Sequence, residues 1–181
     1  MSSREIEIAA ALAAVESQIA AAAAKAGRDR SEITLIAVTK TYPASDVEIL
    51  RNLGVQNFGE NRNEEGEAKS AQVTGTWHFQ GQVQSRKLRD ISGWASYIHS
   101  LDSVEHVEKL SRIATELGRE ISIFLQLSLD GAPDRGGVIK SELAALADSA
   151  RLKPFSRNVM YVAKRSEFSV TAFTFSMRFR K

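Results

Sequence analysis

The run Ile33-Thr34-Leu35-Ile36-Ala37-Val38-Thr39-Lys40 places a primary amine at the end of an apolar segment. A run of this length, rich in β-branched residues and closed by Thr41-Tyr42-Pro43, predicts a strand buried on both faces. A lysine ending such a strand must carry its ammonium out of the core or find it a partner. In a partly desolvated pocket the charged form is disfavoured, and the amine becomes a nucleophile able to form a Schiff base with an aldehyde. The plain alternative is a lysine that reaches water along its own methylene stem. Other polar groups fall at the ends of apolar runs in the same way: Glu60 and Asn61, His78 and Gln80, His99 and Asp102, and Gln126 to Asp130.

The elements that must position these groups alternate along the chain. Ile8, Leu12, Val15 and Ile19 form one stripe of an opening helix that stops near Gly27. Ser45 and Glu48 predict a capping box for a short helix ending at Gly54. Further strands are expected at Val55 to Phe58, Thr76 to Phe79, Tyr97 to Leu101 and Ile121 to Leu129. A polar helix over Arg62 to Gln72, a short one through Lys87 and Leu88, and one capped by Ser103 and ended by Gly118 lie between them. A turn-rich loop, Asp130 to Gly137, leads to a helix from about Ser141 to Ala150. Five strand-helix alternations predict parallel βαβ units, hence an α/β fold. No Gly-x-Gly-x-x-Gly follows any strand, so a dinucleotide-binding sheet gains no support. In a barrel, groups at the C-terminal strand ends share one mouth.

Composition narrows the chemistry. With 181 residues and no cysteine, one domain is the default, and thiolate metal sites and cysteine nucleophiles are excluded. The N-terminus carries acids and no long apolar run, and no stretch approaches the roughly 18 apolar residues that span a bilayer. A cytoplasmic protein without membrane attachment is the expectation. The net charge of +2 hides an asymmetry. Residues 151–181 hold 8 of the 24 basic residues, six of the 13 aromatics and a single acid, Glu167. A boundary is expected there, separating a barrel-like domain, 1–150, from a basic aromatic tail, 151–181.

Four segments carry a resemblance. Ala37-Val38-Thr39-Lys40-Thr41, Asn57-Phe58-Gly59-Glu60-Asn61, Trp77-His78-Phe79-Gln80-Gly81-Gln82-Val83-Gln84 and Arg135-Gly136-Gly137-Val138 occur in that order. Together they resemble the pyridoxal phosphate homeostasis protein family, which is similar to the N-terminal barrel domain of alanine racemase. The match covers about residues 5 to 150. It implies a TIM-barrel-like fold of the alanine racemase N-terminal type, with Lys40 holding pyridoxal 5'-phosphate as a Schiff base. It also implies a role in binding and buffering that cofactor without turnover, since the domain that supplies the racemase's catalytic tyrosine has no counterpart here. Asn61 and His78 are the further candidates for the cofactor pocket, with structural hydrogen bonding as their alternative.

The chain departs from the family pattern at Gln80, where an aliphatic residue is usual, and at Arg86, where asparagine is usual. After Ala150 the Ser-x-Gly-Met-Ser-x-Asp and Arg-x-Gly motifs that bind the cofactor phosphate and face its ring are absent, and Val159-Met160 is at most a remnant of a sixth strand. The barrel is therefore expected to be incomplete at its C-terminal end, and the chain a monomer or weakly self-associating. Trp77 is expected in the core. His99, Asp102 and His106 suggest a metal site, but a strand-helix junction lies between them and structural roles are the better account. Two other functions stay open: a racemase-like enzyme, and nucleic-acid binding through the basic tail. Nucleic acid is the less favoured partner.

Overall fold

Six parallel strands follow one another across a single sheet in their chain order: β1 (Ala37–Val38), β2 (Asn57–Glu60), β3 (Thr76–Phe79), β4 (Tyr97–Leu101), β5 (Ser122–Ser128) and β6 (Val159–Lys164). The computed structural model describes residues 1–129, 136–151 and 159–164. Helix α1 (Ser3–Lys25) precedes the sheet. Helices α2 (Ala44–Asn52), α3 (Asn63–Ser70), α4 (Leu88–Trp94), α5 (Val104–Leu117) and α6 (Leu143–Arg151) connect successive strands. A doubly wound sheet reverses its strand order at a switch point, whereas this order advances without reversal, as a barrel wall does. Among the described residues the wall is open, with β1 at one edge and β6 at the other. The rest of the basic aromatic tail, residues 152–158 and 165–181, lies outside the described residues.

The core lies between the sheet and the helices. Phe58, Trp77, Phe79, Ile98, Ile123 and Leu125 alternate out of the strands against Val47, Leu88, Ile91, Trp94, Val107 and Leu110 of the helices. Trp94 receives Trp77 and Phe79 edge-on, with ring centroids 6.4 and 6.1 Å apart. The Trp77 indole also donates to the Val73 carbonyl at 3.1 Å. Trp77 is thus a core residue, as its type suggested. Helix α5 follows the expected pattern, with Ser103 Oγ accepting from the His106 amide and Gly118 closing the helix at φ 60°.

Three expectations are corrected. The segment before Lys40 is not a long strand buried on both faces. Only Ala37 and Val38 form the strand that pairs with β2, and Val38 is 47% exposed at this edge of the sheet. The capping box falls not at Ser45 and Glu48 but at Ser2 and Glu5. Helix α2 starts two residues earlier, behind Pro43 and with no side-chain cap, and Asp46 in its first turn accepts from Arg4 instead. Finally, α1 is long and apolar enough to cross a membrane by length and composition. Its alanine tract supplies that hydropathy with little side-chain surface, and only Ala23 of the helix is buried. The helix is held to the domain by Arg4–Asp46 at 2.5 Å, by Arg30–Glu16 at 2.6 Å and by Leu12 packing on the core.

Two glycines bracket the tolerance of the helix layer. A Cβ at Gly66 of α3 would overlap the ring of Trp94, whereas one at Gly93 of α4 would meet nothing within 4 Å. Gly66→Ala should lower stability by about 1 to 3 kcal/mol through overpacking. Gly93→Ala should raise it by up to about 1 kcal/mol through helix propensity. Urea unfolding midpoints of the two variants, read against the parent, should move in opposite directions.

Candidate functional site

Strand alternation sends Phe58, Glu60, Trp77 and Phe79 under the helices, and so sends Asn57, Gly59, His78 and Gln80 to the opposite, concave face. Tyr97, His99, Phe124 and Gln126 continue that face through β4 and β5. The side chains form a belt. His78 Nδ1 lies 2.9 Å from His99 Nε2, and His78 Nε2 lies 3.0 Å from Asn57 Oδ1. Tyr97 stacks on His78 with centroids 4.5 Å apart, and Phe124 stacks on His99 at 4.1 Å. Asn57 Oδ1 can only accept, so His78 donates from Nε2, its Nδ1 accepts, and His99 donates from Nε2. Burial pushes the His78 pKa down to about 4, because the charged ring would be stripped of water with no anion to compensate it. His78 is therefore a neutral, doubly hydrogen-bonded wall residue.

Lys40 and Asn61 stand at the exits of adjacent strands. The Thr39 amide donates to the Gly59 carbonyl at 2.9 Å, continuing the β1–β2 ladder to the rim. Both residues are exposed there. Gly81, beyond β3, packs so closely on the Asn61 carbonyl that an added Cβ would overlap it, which holds the β2 and β3 exits together. The structure thus brings Lys40 and Asn61 together at the rim, while His78 sits deeper, two residues before Gln80.

Lys40 did not stay in a desolvated pocket; it reaches solvent. The lysine that finds partners in the interior is Lys69 of α3, which sequence reasoning missed. Its ammonium is buried and donates to Glu60 Oε1 at 2.6 Å, to the Thr39 carbonyl at 2.8 Å and to Glu65 Oε2 at 3.3 Å. Thr39 Oγ1 donates to the same Glu60 oxygen at 2.7 Å. Glu65 Oε2 also accepts from the Thr41 amide at 3.0 Å, and that contact is the first cause of a depressed Glu65 pKa. Glu60, expected at the mouth, faces the helices instead. The available signal was the i,i+4 spacing of Glu65 and Lys69 on a helix with almost no apolar residue.

The remaining candidates are structural. Asp102 Oδ2 accepts from the Gly137 amide at 3.0 Å, and Gln126 Nε2 donates to the Gly136 carbonyl, so both hold the segment after β5. His106 lies 3.0 Å from Ser85 Oγ and 3.6 Å from Asp102. Among the described residues no group of three or more potential ligands could hold a metal ion.

Comparison with known proteins agrees with this architecture. The family described as "Alanine racemase, N-terminal domain" matches residues 11–163. The pyridoxal phosphate homeostasis protein of Mycobacterium leprae is 40% identical over 153 residues, 75% of this chain and 60% of that protein. The Escherichia coli K12 protein of the same name is 35% identical over 164 residues, 81% of this chain and 67% of that one. This chain belongs to the pyridoxal phosphate homeostasis protein family. PipY of Synechococcus elongatus, solved with PLP bound, is 32% identical and superposes with a TM-score of 0.71 over 91% of this chain and 73% of its own. Alanine racemase of Clostridium difficile, at 14% identity and a TM-score of 0.62, shares the fold. The chain spans about 60% of the length of the Mycobacterium relative.

The lowered His78 pKa has a definite sign. The unfolded state, with an ordinary histidine, binds a proton below about pH 6.5, and the folded state does so only near 4. Stability should therefore fall as pH drops through that window, by about 2 to 3 kcal/mol between pH 7 and 4.5. Urea titrations at the two pH values should show this loss, and His78→Gln should shrink it.

Proposed function

We propose that this chain binds pyridoxal 5'-phosphate on the concave face of its sheet, covalently through Lys40, and holds the cofactor without a turnover reaction of its own. The observation that carries the proposal is the Lys40 amine: exposed at a rim whose two flanking residues are pinned, and paired with no carboxylate among the described residues. A PLP-bound relative with the same fold supports the choice of ligand.

The residues present fit such a group. Bound pyridoxal phosphate supplies an aldehyde, with which a primary amine condenses with loss of water. Lys40 offers that amine with no competing ion pair among the described residues. Asn61, on the adjacent strand exit, offers an amide able to donate and to accept. His78 adds no positive charge near neutral pH, and the stacked His78–Tyr97 pair gives the face a rigid aromatic floor.

The same geometry argues against turnover. General acid-base catalysis needs a group that titrates near the working pH and is free to move a proton. His78 has both ring nitrogens engaged and stays neutral, so it positions rather than transfers protons. A holding role, in which cofactor is bound and released, needs only the amine and the wall around it.

Borohydride reduction of the pyridoxal-phosphate-loaded protein, followed by peptide mapping, should find the label at Lys40, and Lys40→Ala should lose it. A label elsewhere, or undiminished labelling of the variant, would sink the assignment. Amino acids incubated with the loaded protein in deuterated water should exchange their α-protons no faster than with free cofactor. Exchange that requires Lys40 would instead establish an enzyme.

A further inference from the structure

The two peptide groups that flank Lys40 are both captured by one helix. On the N-terminal side, the Thr39 carbonyl accepts from the buried Lys69 ammonium at 2.8 Å. On the C-terminal side, the Thr41 amide donates to Glu65 Oε2 at 3.0 Å. Lys69 and Glu65 stand one turn apart on α3 and meet each other at 3.3 Å. Glu60, at the end of β2, completes the cluster by accepting from both Lys69 and Thr39. None of these side chains reaches through to the concave face; they grip the backbone from behind.

That grip holds an unfavourable conformation. Thr41 has φ 69°, the only non-glycine residue with positive φ among the described residues. A β-branched side chain in the left-handed region is strained and persists only where its surroundings over-determine it. The Tyr42 amide donates back to the Thr39 carbonyl at 3.1 Å, closing a tight turn around Lys40. Thr39 is 3% exposed and Lys40 is exposed, so the turn carries the chain from one buried residue straight to a solvent-facing amine.

We propose that Glu65 and Lys69, with Glu60 behind them, are positioning residues for Lys40: they hold the Thr39–Tyr42 turn in its strained form and so fix where the amine stands over the concave face. This rests on Lys40 being the residue that takes pyridoxal phosphate. The network sets the approach of the amine to the aldehyde and leaves its intrinsic nucleophilicity alone, since none of the three touches the amine. Small misplacements of a reacting group are costly, on the order of a hundredfold for about 1 Å.

The test compares Glu65→Ala, Glu65→Gln and Lys69→Met with the parent, each shown to be folded by circular dichroism and urea unfolding. Glu65→Ala removes the acceptor of the Thr41 amide, while Glu65→Gln keeps an acceptor oxygen in its place. Lys69→Met leaves Glu60 buried without its cation, and Glu65→Ala keeps the proposal testable should that variant fail to fold. Two readouts are taken. The first is equilibrium binding of pyridoxal phosphate by visible absorbance. The second is the rate at which acetic anhydride, a small reagent with no site to occupy, modifies Lys40, mapped against Lys25 of α1 as an internal reference.

In Glu65→Ala, pyridoxal phosphate affinity should fall by about tenfold or more while the anhydride rate at Lys40 changes less than about twofold. Glu65→Gln should recover most of the affinity. A folded Glu65→Ala that binds the cofactor as the parent does would overturn the positioning role. A parallel loss of affinity and of anhydride reactivity would overturn it too, by showing that the amine itself had been altered. A parent that fails to bind pyridoxal phosphate at all would overturn the Lys40 reading instead, which separates the two failures.

Discussion

Glu60 and Lys69 meet at 2.6 Å in a place where neither reaches bulk water. Burying two charges is expensive, and their attraction offsets the cost only when further hydrogen bonds satisfy the remaining donors and acceptors. Those bonds are present. Lys69 spends its protons on Glu60, on Glu65 and on the Thr39 carbonyl, and Glu60 Oε1 takes a second proton from Thr39. Glu60 Oε2 is left buried with no hydrogen-bond partner, so the cluster is committed to its cation. Removing one partner of such a pair typically costs about 3 to 5 kcal/mol, because the other charge is stranded. The pair joins β2, α3 and the end of β1 at one point, and β1, a two-residue strand extended only by the Thr39–Gly59 hydrogen bond, gains from it a defined end.

The two faces of the sheet divide the work. Outward, Trp77 and Phe79 meet Trp94 edge-on, Phe58 packs on Trp77, and the Trp94 ring leaves no room at Gly66 for a single added carbon. That layer sets strand spacing and helix position. Inward, the strands carry amides, imidazoles and flat rings whose polar atoms satisfy one another across strand boundaries. Asn57, His78 and His99 tie β2, β3 and β4 together through side chains, in addition to the backbone ladder. Side chains bonded to one another across strands hold such a face together without a covering layer.

Much of this was legible beforehand because parallel strands announce themselves. The runs at Thr76 to Phe79 and Tyr97 to Leu101 coincide with β3 and β4, and Ser103 and Gly118 bound α5 through local capping chemistry. The Lys40 run misled because hydrophobic pattern reports what residue types tolerate, not what covers them; Val38 is apolar yet 47% exposed at the edge of the sheet. Ser45 and Glu48 matched a capping box in spelling, but the helix starts two residues sooner behind Pro43, with Asp46 held by Arg4. Lys69 was missed for a different reason. The i,i+4 spacing of Glu65 and Lys69 could be read, but its other partners, at positions 39 and 60, are distant in sequence, and a polar helix does not show which way its lysine turns. His78 was found as a type at the right strand, but its neutral, wall-like character depends on Asn57, Tyr97 and His99, which only the register assembles.

Both tryptophans of the chain, Trp77 and Trp94, lie in the outer layer, one indole pinned to Val73 and the other to Asn63 Oδ1 at 3.0 Å. Their emission is consequently a gauge of one side of the sheet only. Loosening of α3 or α4 would redden and weaken it, while a molecule settling on the concave face could reach the indoles only by energy transfer through the sheet. The wavelength of that emission therefore reports the scaffold alone, whereas its intensity also responds to an absorbing molecule on the open face.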